Sequence, residues 1–441
     1  MSDLPERVLK YLSKYSLPKW KLEFDNTSKI DSVIVIPAIS EYFNILTLLE
    51  SLSKSDNKYF SSTLVIFVIN NTAQSNTEIK GNNLWSIEQI RNIIKKQIDS
   101  GFTEKIISSG LNLGLVDAAS KGNELPEKDA GAGLARKIGM DLALTVFDYS
   151  SERKKIIISL DADCTVKKNY LTGIIDNFKN EDLSAAVIKL EHRIEEKETA
   201  EAIICYEIFL RYYVLGLKLA NSPFAFHTVG STMAFDYEAY IKAGGMNKRK
   251  AGEDFYLLEK IAKRTKIERI KSTTVYPSSR ISRRVPFGTG PRIERFLSKV
   301  RNEYLLYAPE TFIILKKWLE EFGKPDVLSS GKYLTIAKNI HPFLQQFLVL
   351  NNFENSWDKI LKNSKSSVQL EKQKVDWFDG FRTLKLIHYL RDSGFPLIDM
   401  FDALDSILRY FDSKPGIRRK AGTIPRMTEQ IDYLNILRKL T

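Results

Sequence analysis

The sequence predicts an α/β protein, a mainly parallel sheet flanked by helices, with an added C-terminal α-helical domain. Three observations predict it. Short runs rich in valine and isoleucine (32–37, SVIVIP; 64–69, LVIFVI; 156–160, IIISL) have the length of buried strands. Segments with apolar residues at helical spacing alternate with them, as in Ile45, Leu48, Leu49 and Leu52. After about Gly290 strand-like runs nearly vanish, and helical spacing continues to Leu440.

In chain order, residues 1–30 read as a short amphipathic helix and a connector, 31–290 as the α/β domain and 291–441 as the helical domain. Within the α/β domain, 84–98 reads as a helix and 105–108 as a strand. The turn-rich stretch 110–133 ends in Asp129-Ala-Gly-Ala-Gly133 and enters a helix over 134–146. Further strands are expected at Ala185–Leu190 and 230–235, and helices at Ala200–Leu219 and 253–263.

Composition excludes several classes. Of the 441 residues, 43% are hydrophobic and 27% charged, which is globular and not disordered. Two cysteines, Cys164 and Cys205, cannot make a disulfide framework or a multi-cysteine zinc site. No two of the four histidines (His192, His227, His341, His388) lie at metal-ligand spacing, so a metal would need carboxylates. The first twenty residues hold no signal-type apolar core, and no uncharged apolar run reaches membrane-spanning length. A cytoplasmic protein is expected. The formal charge of +12 suits an anionic partner, and much of it is local: 246–284 carries twelve Lys/Arg against four Asp/Glu, and 414–426 five against none. Zinc-finger and RNA-binding aromatic signatures are missing, so nucleic acid is not expected.

The first candidate site is Asp161-Ala-Asp163, directly after the strand at 156–160. Ligands of open α/β sheets bind at strand carboxyl ends. Carboxylates at i and i+2 of an extended chain face one way and can hold a hard divalent cation with its phosphates. Loop-capping aspartates are the plain alternative. The second is Gly252-Glu253-Asp254 at a helix start, where acids also stabilise the helix by themselves. As a site, one of these carboxylates would take a proton from an attacking hydroxyl, and Lys248-Arg249-Lys250 would help keep it ionised. Third, Gly131 and Gly133 would let backbone N–H groups approach a phosphate, or would make a tight helix entry. Last, Pro286-Phe-Gly-Thr-Gly290 follows Arg280, Arg283 and Arg284; it reads as a loop closing over a diphosphate, or as an inter-domain linker.

In order, these segments resemble the family 2 glycosyltransferases of the GT-A fold, over about residues 31–290. Val33-Ile-Val-Ile-Pro-Ala-Ile-Ser-Glu41 is similar to that family's opening strand and nucleotide-binding turn. Val68-Ile-Asn-Asn-Thr72 stands where Val-Asp-Asp-Gly-Ser is usual, and GAGLARKIG (131–139) resembles the Ala-Arg-Asn-X-Gly helix. Leu160-Asp-Ala-Asp163, GSTMAFDYEAYIKAGGM (230–246) and Gly252-Glu-Asp254 match the Asp-X-Asp strand end, the acceptor-side segment and the Glu-Asp motif.

The resemblance implies transfer of a sugar from a nucleotide-sugar donor to an acceptor hydroxyl, with Mn2+ or Mg2+ as cofactor and inversion at the sugar carbon. Pro37, Ile39 and Glu41 would line the nucleoside pocket, Asn71 would contact the base, and Arg136 would lie near the nucleotide. Asp161 would approach the ribose or sugar and join the metal site. Asp163 would hold the metal and diphosphate, and Arg280 and Arg284 would bind the leaving diphosphate. Asp254 would be the base, with Glu253 beside it. Two departures stand out. Asn70-Asn71 replace the usual aspartates, which leaves the choice of nucleotide open, and the family's tryptophan-rich motif after the Glu-Asp helix is missing. A retaining transferase, a nucleotidyltransferase and a non-catalytic binding protein are the alternatives. The acceptor, whether glycan, lipid-linked or small molecule, is not readable. The basic run 414–426 would contact anionic lipid or an acidic glycan, and with no membrane span any membrane contact is peripheral.

Overall fold

The computed structural model describes residues 4–25, 28–194, 198–280, 288–413 and 416–441. The chain forms two units: Met1–Arg193 with Thr228–Gly288, and Ile194–His227 with Thr289–Thr441.

In chain order the elements begin α1 (Glu6–Tyr15), β1 (Leu22–Phe24), β2 (Ser32–Ala38), α2 (Tyr42–Ser53), β3 (Thr63–Asn70) and α3 (Thr77–Ile94). There follow α4 (Gly101–Ser109), β4 (Asn112–Ala118), α5 (Ala132–Ala143), β5 (Ile156–Ser159), β6 (Thr165–Val166), α6 (Tyr170–Asn180) and β7 (Ala185–Leu190). Helix α7 (Ala200–Leu219) belongs to the second unit. The first unit resumes with β8 (Met233–Asp236), α8 (Tyr237–Lys242), α9 (Glu253–Ala262) and β9 (Glu268–Tyr276).

These strands form one mixed sheet in the order β1-β4-β3-β2-β5-β8-β7-β9-β6. Its longest ladders, β2 with β3 and β3 with β4, are parallel, and so are β2 with β5 and β7 with β9. The contacts of β8, β1 and β6 are antiparallel. Every residue of β3 is buried, as the unbroken apolar run requires of a strand covered on both faces. Strand β2 has β3 on one side and β5 on the other, so the strand order reverses there. A crevice opens at such a point, outside the carboxyl ends of the two strands.

Three expectations are corrected. Residues 105–108 lie in α4, not in a strand; Ser100 caps this helix through Thr103 N–H, and Gly110 closes it in the left-handed region (φ 79°). A four-residue segment with only Ile106 and Ile107 apolar fits either element, and the caps decide. The strand falls instead at Asn112–Ala118, inside the stretch read as turns. Second, the expected N-terminal helix is α1, and the stretch after it holds a strand: the Tyr11 hydroxyl donates to buried Asp141 at 2.9 Å, and β1 pairs with β4. Third, the boundary at 290 misses residues 194–227, which group with the helical unit. Helix α7 is buried on nearly every side, so it needs helices around it. At Gly216 a side chain would run into the Phe312 ring.

The second unit continues with α10 (Thr289–Leu297), β10 (Leu305–Leu306), α11 (Pro309–Phe322), α12 (Ser330–Ile340), α13 (Pro342–Leu350) and α14 (Phe353–Asn363). It ends with α15 (Ser367–Trp377), α16 (Gly380–Ser393), β11 (Ile398–Asp399), α17 (Met400–Leu408) and α18 (Met427–Leu440). Trp318, Phe322, Tyr333, Phe353 and Trp357 form its aromatic core. Among the described residues no helix is long and apolar enough to cross a membrane.

Candidate active site

The chain turns sharply after β2. Ser40 sits at φ 54°, a conformation costly for a residue with a side chain, and its N–H donates to Asn83 Oδ1 at 2.8 Å. This turn delivers Glu41 to the start of α2, where it is buried. Pro37 and Ile39, expected in the same wall, are half-buried.

Asn71 is buried at 1% exposure. Its amide donates to the carbonyls of Thr72 (3.1 Å) and Ala119 (3.2 Å), and its Oδ1 accepts from Asn83 (2.8 Å). Asn70 donates to the Ala38 carbonyl at 2.9 Å. The two amides tie together the ends of β2, β3 and β4. A carboxylate cannot donate to those carbonyls, which gives Asn70-Asn71 a structural reason. This geometry does not present Asn71 to a base.

Arg136 projects from α5 and is 4% exposed. Its guanidinium donates to Asp161 beyond β5, to Glu253 at the start of α9, and through Nε to Ser159 Oγ at 3.1 Å. Burial works against its charge, yet Asp161, Glu253 and Asp254 outweigh burial and hold it firmly protonated. One side chain thus fixes the Asp-X-Asp strand end to the Glu-Asp helix.

Glycines make room for it. A methyl group at Gly230 would fall inside the contact distance of the Arg136 guanidinium. At Gly133 it would strike the backbone carbonyls of Arg249 and Asn247. Gly131 and Gly133 therefore admit the chain's own 247–250 segment, where the sequence had pointed to a phosphate or a tight helix entry. Gly230→Ala should lower stability by roughly 1–3 kcal/mol through overpacking. A urea unfolding midpoint equal to wild type would show that Arg136 can move aside.

Arg280 donates from one nitrogen to Glu41 and to Asp163 Oδ2, the latter at 3.0 Å. It faces these two carboxylates, whereas the sequence reads it beside a loop closing over a diphosphate. Arg284 lies outside the described residues. Burial, then the charge of Asp161, raise the Asp163 carboxyl to about 6, against the pull of Arg280. Asp254 is pushed up to about 7 by burial and by Glu253, with Arg136 opposing. The neighbours that set Asp254 are thus Glu253 and Arg136, not the exposed Lys248-Arg249-Lys250 run expected to keep it ionised.

No protein-family model and no curated protein sequence matches the chain. Among solved structures it is similar to S. aureus TarS 1-349 in complex with UDP-GlcNAc, at 15% identity over 87% of this chain and 92% of that one, with a TM-score of 0.38. It is also similar to the mannosyltransferase PcManGT from Pyrobaculum calidifontis in complex with GDP-Man and Mn2+, at 14% identity over 98% and 92%, with a TM-score of 0.38. Both likenesses are weak.

The site joins Glu41, Asp161, Asp163, Glu253 and Asp254 around Arg136 and Arg280. Ser40, Ser159, Asn83 and Gly230 support it and were not singled out in the sequence. A serine in a left-handed turn or an asparagine twelve residues beyond Asn71 leaves no signal of its own. Among the described residues no three His, Cys, Asp or Glu side chains are grouped to hold a metal ion. Asp161 and Asp163 do supply hard oxygen donors, and Mg2+-type sites are completed by substrate phosphates. The donor set fits a divalent ion shared with a diphosphate.

Proposed function

We propose that the chain is a glycosyltransferase of GT-A fold that transfers a sugar from a nucleotide-sugar to an acceptor hydroxyl with inversion. The observation that carries this reading is Arg136, which binds the Asp-X-Asp strand end and the Glu-Asp helix to each other at a strand-order switch point. It supports the ordered motifs of the sequence as parts of one site.

In this reading Pro37, Ile39 and Glu41 border the nucleoside, and Asp161 approaches the ribose or sugar. Asp163, with Asp161, would hold Mn2+ or Mg2+, whose charge would offset that of the diphosphate. Arg280, which donates to Asp163, would also reach the diphosphate of the donor. Asp254 takes the proton of the acceptor hydroxyl as its oxygen bonds to the anomeric carbon. The bond from that carbon to the diphosphate breaks, and the nucleoside diphosphate leaves with the electron pair. Glu253, held by Arg136, keeps Asp254 in place and raises its basicity.

Calorimetric titration of nucleoside diphosphates and nucleotide-sugars, with Mn2+ and with EDTA, tests the reading. One nucleotide family should bind, and only with metal. Asp163→Ala should weaken that binding strongly. Unchanged binding would remove Asp163 from the metal site, and no binding across the panel would favour a non-catalytic protein.

A further inference from the structure

We propose that the turn after α10, in the second unit, docks on an anionic phospholipid surface, with headgroup phosphates taken by Arg295, Lys299 and Arg301. Three guanidiniums converge there on one carboxylate. Glu303, with a side chain only 5% exposed, accepts from Arg292 at 2.5 Å and from Arg301 at 2.6 Å, and Arg295 Nε stands 3.3 Å away. A single carboxylate cannot neutralise three cations. Among the described residues the Arg295 Nε–H makes no hydrogen bond, so the pairing with Glu303 leaves the turn with an excess of positive charge.

The geometry also gives a direction. Arg292 is enclosed and lies over the Phe209 ring at 4.1 Å, while Ile293 is fully buried near Ala202 and Ile203. That face fixes α10 within its unit. The tip of the helix and the turn beyond it are open: Leu297 is 41% and Val300 76% exposed, interleaved with exposed Lys299 and Arg301. A phosphate free in solution has no use for the two apolar side chains. A bilayer takes both: cations meet headgroups, and Leu297 and Val300 enter the acyl boundary. The net charge of +12 attracts the chain to such a surface.

In the basic run expected to serve as the lipid contact, 414–426, two of the arginines are paired with carboxylates. Arg419 is bound to Asp402 and Asp405, and Arg426 to Glu429. Lys414 lies outside the described residues.

The test is co-sedimentation of the full chain with phosphatidylcholine vesicles, with and without phosphatidylglycerol. Binding should require phosphatidylglycerol. R295A/R301A should weaken it by roughly 30-fold, about fivefold per cation. L297S/V300S, which alters only exposed side chains, should also weaken it, and R418A/K420A should not. Equal binding to neutral vesicles overturns the proposal, as does an unaffected L297S/V300S variant. Inorganic phosphate is the second probe: a thermal shift lost in R295A/R301A, without vesicle binding, would assign the site to a soluble anion and overturn the lipid source.

Discussion

Asp254→Asn should lower kcat by roughly 10²–10⁴-fold while leaving nucleotide affinity unchanged. The amide keeps the shape of the side chain but cannot hold the acceptor's proton. Asp254 is suited to that task because burial and Glu253 lift its carboxyl to about 7. A stronger base at neutral pH is the result. Only the ionised form works, so kcat/KM in the wild type should rise with pH and level off above about 7. Asp254→Asn should lose this limb. Initial rates across pH, with calorimetry of the nucleotide complex on the same samples, decide the matter. Turnover at the wild-type rate would remove Asp254 as the base.

Arg136→Met should cost about 3–5 kcal/mol of stability, the usual effect of leaving buried charge without its partner. Glu253 is 4% exposed and takes its ion pair from Arg136, and Asp161 takes another. Arg136 also opposes the rise of the Asp254 carboxyl, so its loss should move the pH limb upward. Arg136→Lys should recover only part of the stability, because an ammonium cannot serve three acceptors in a fixed plane. Urea unfolding of the two variants measures the first effect, and the pH–rate profile of Arg136→Met the second. Wild-type stability in Arg136→Met would mean that Glu253 and Asp161 find other partners.

The strands that frame the site were readable because they are fully buried. Residues 64–69 are apolar without interruption and 156–160 are apolar except for buried Ser159, and no exposed element tolerates that. Asp161 and Asp163 were readable from their place after such a run. The run at 105–108 misled, since a four-residue segment with two isoleucines does not distinguish a strand from one turn of helix. The link between Arg136 and Glu253 spans 117 positions in the chain, and periodicity carries no information at that distance.

The α/β layer, the helices after residue 290, the carboxylates at a strand end and at a helix start, and the excess of positive charge were all legible before folding. These follow from side-chain polarity and its period, which act over a few residues. Folding was needed to reveal that α7 joins the helical unit, that Asn70 and Asn71 bind backbone carbonyls, and that Gly133 and Gly230 make space. It also decided which arginines are spent on carboxylates and which remain open. Those are matters of close packing and charge pairing between distant segments, and they are settled only when the chain has folded.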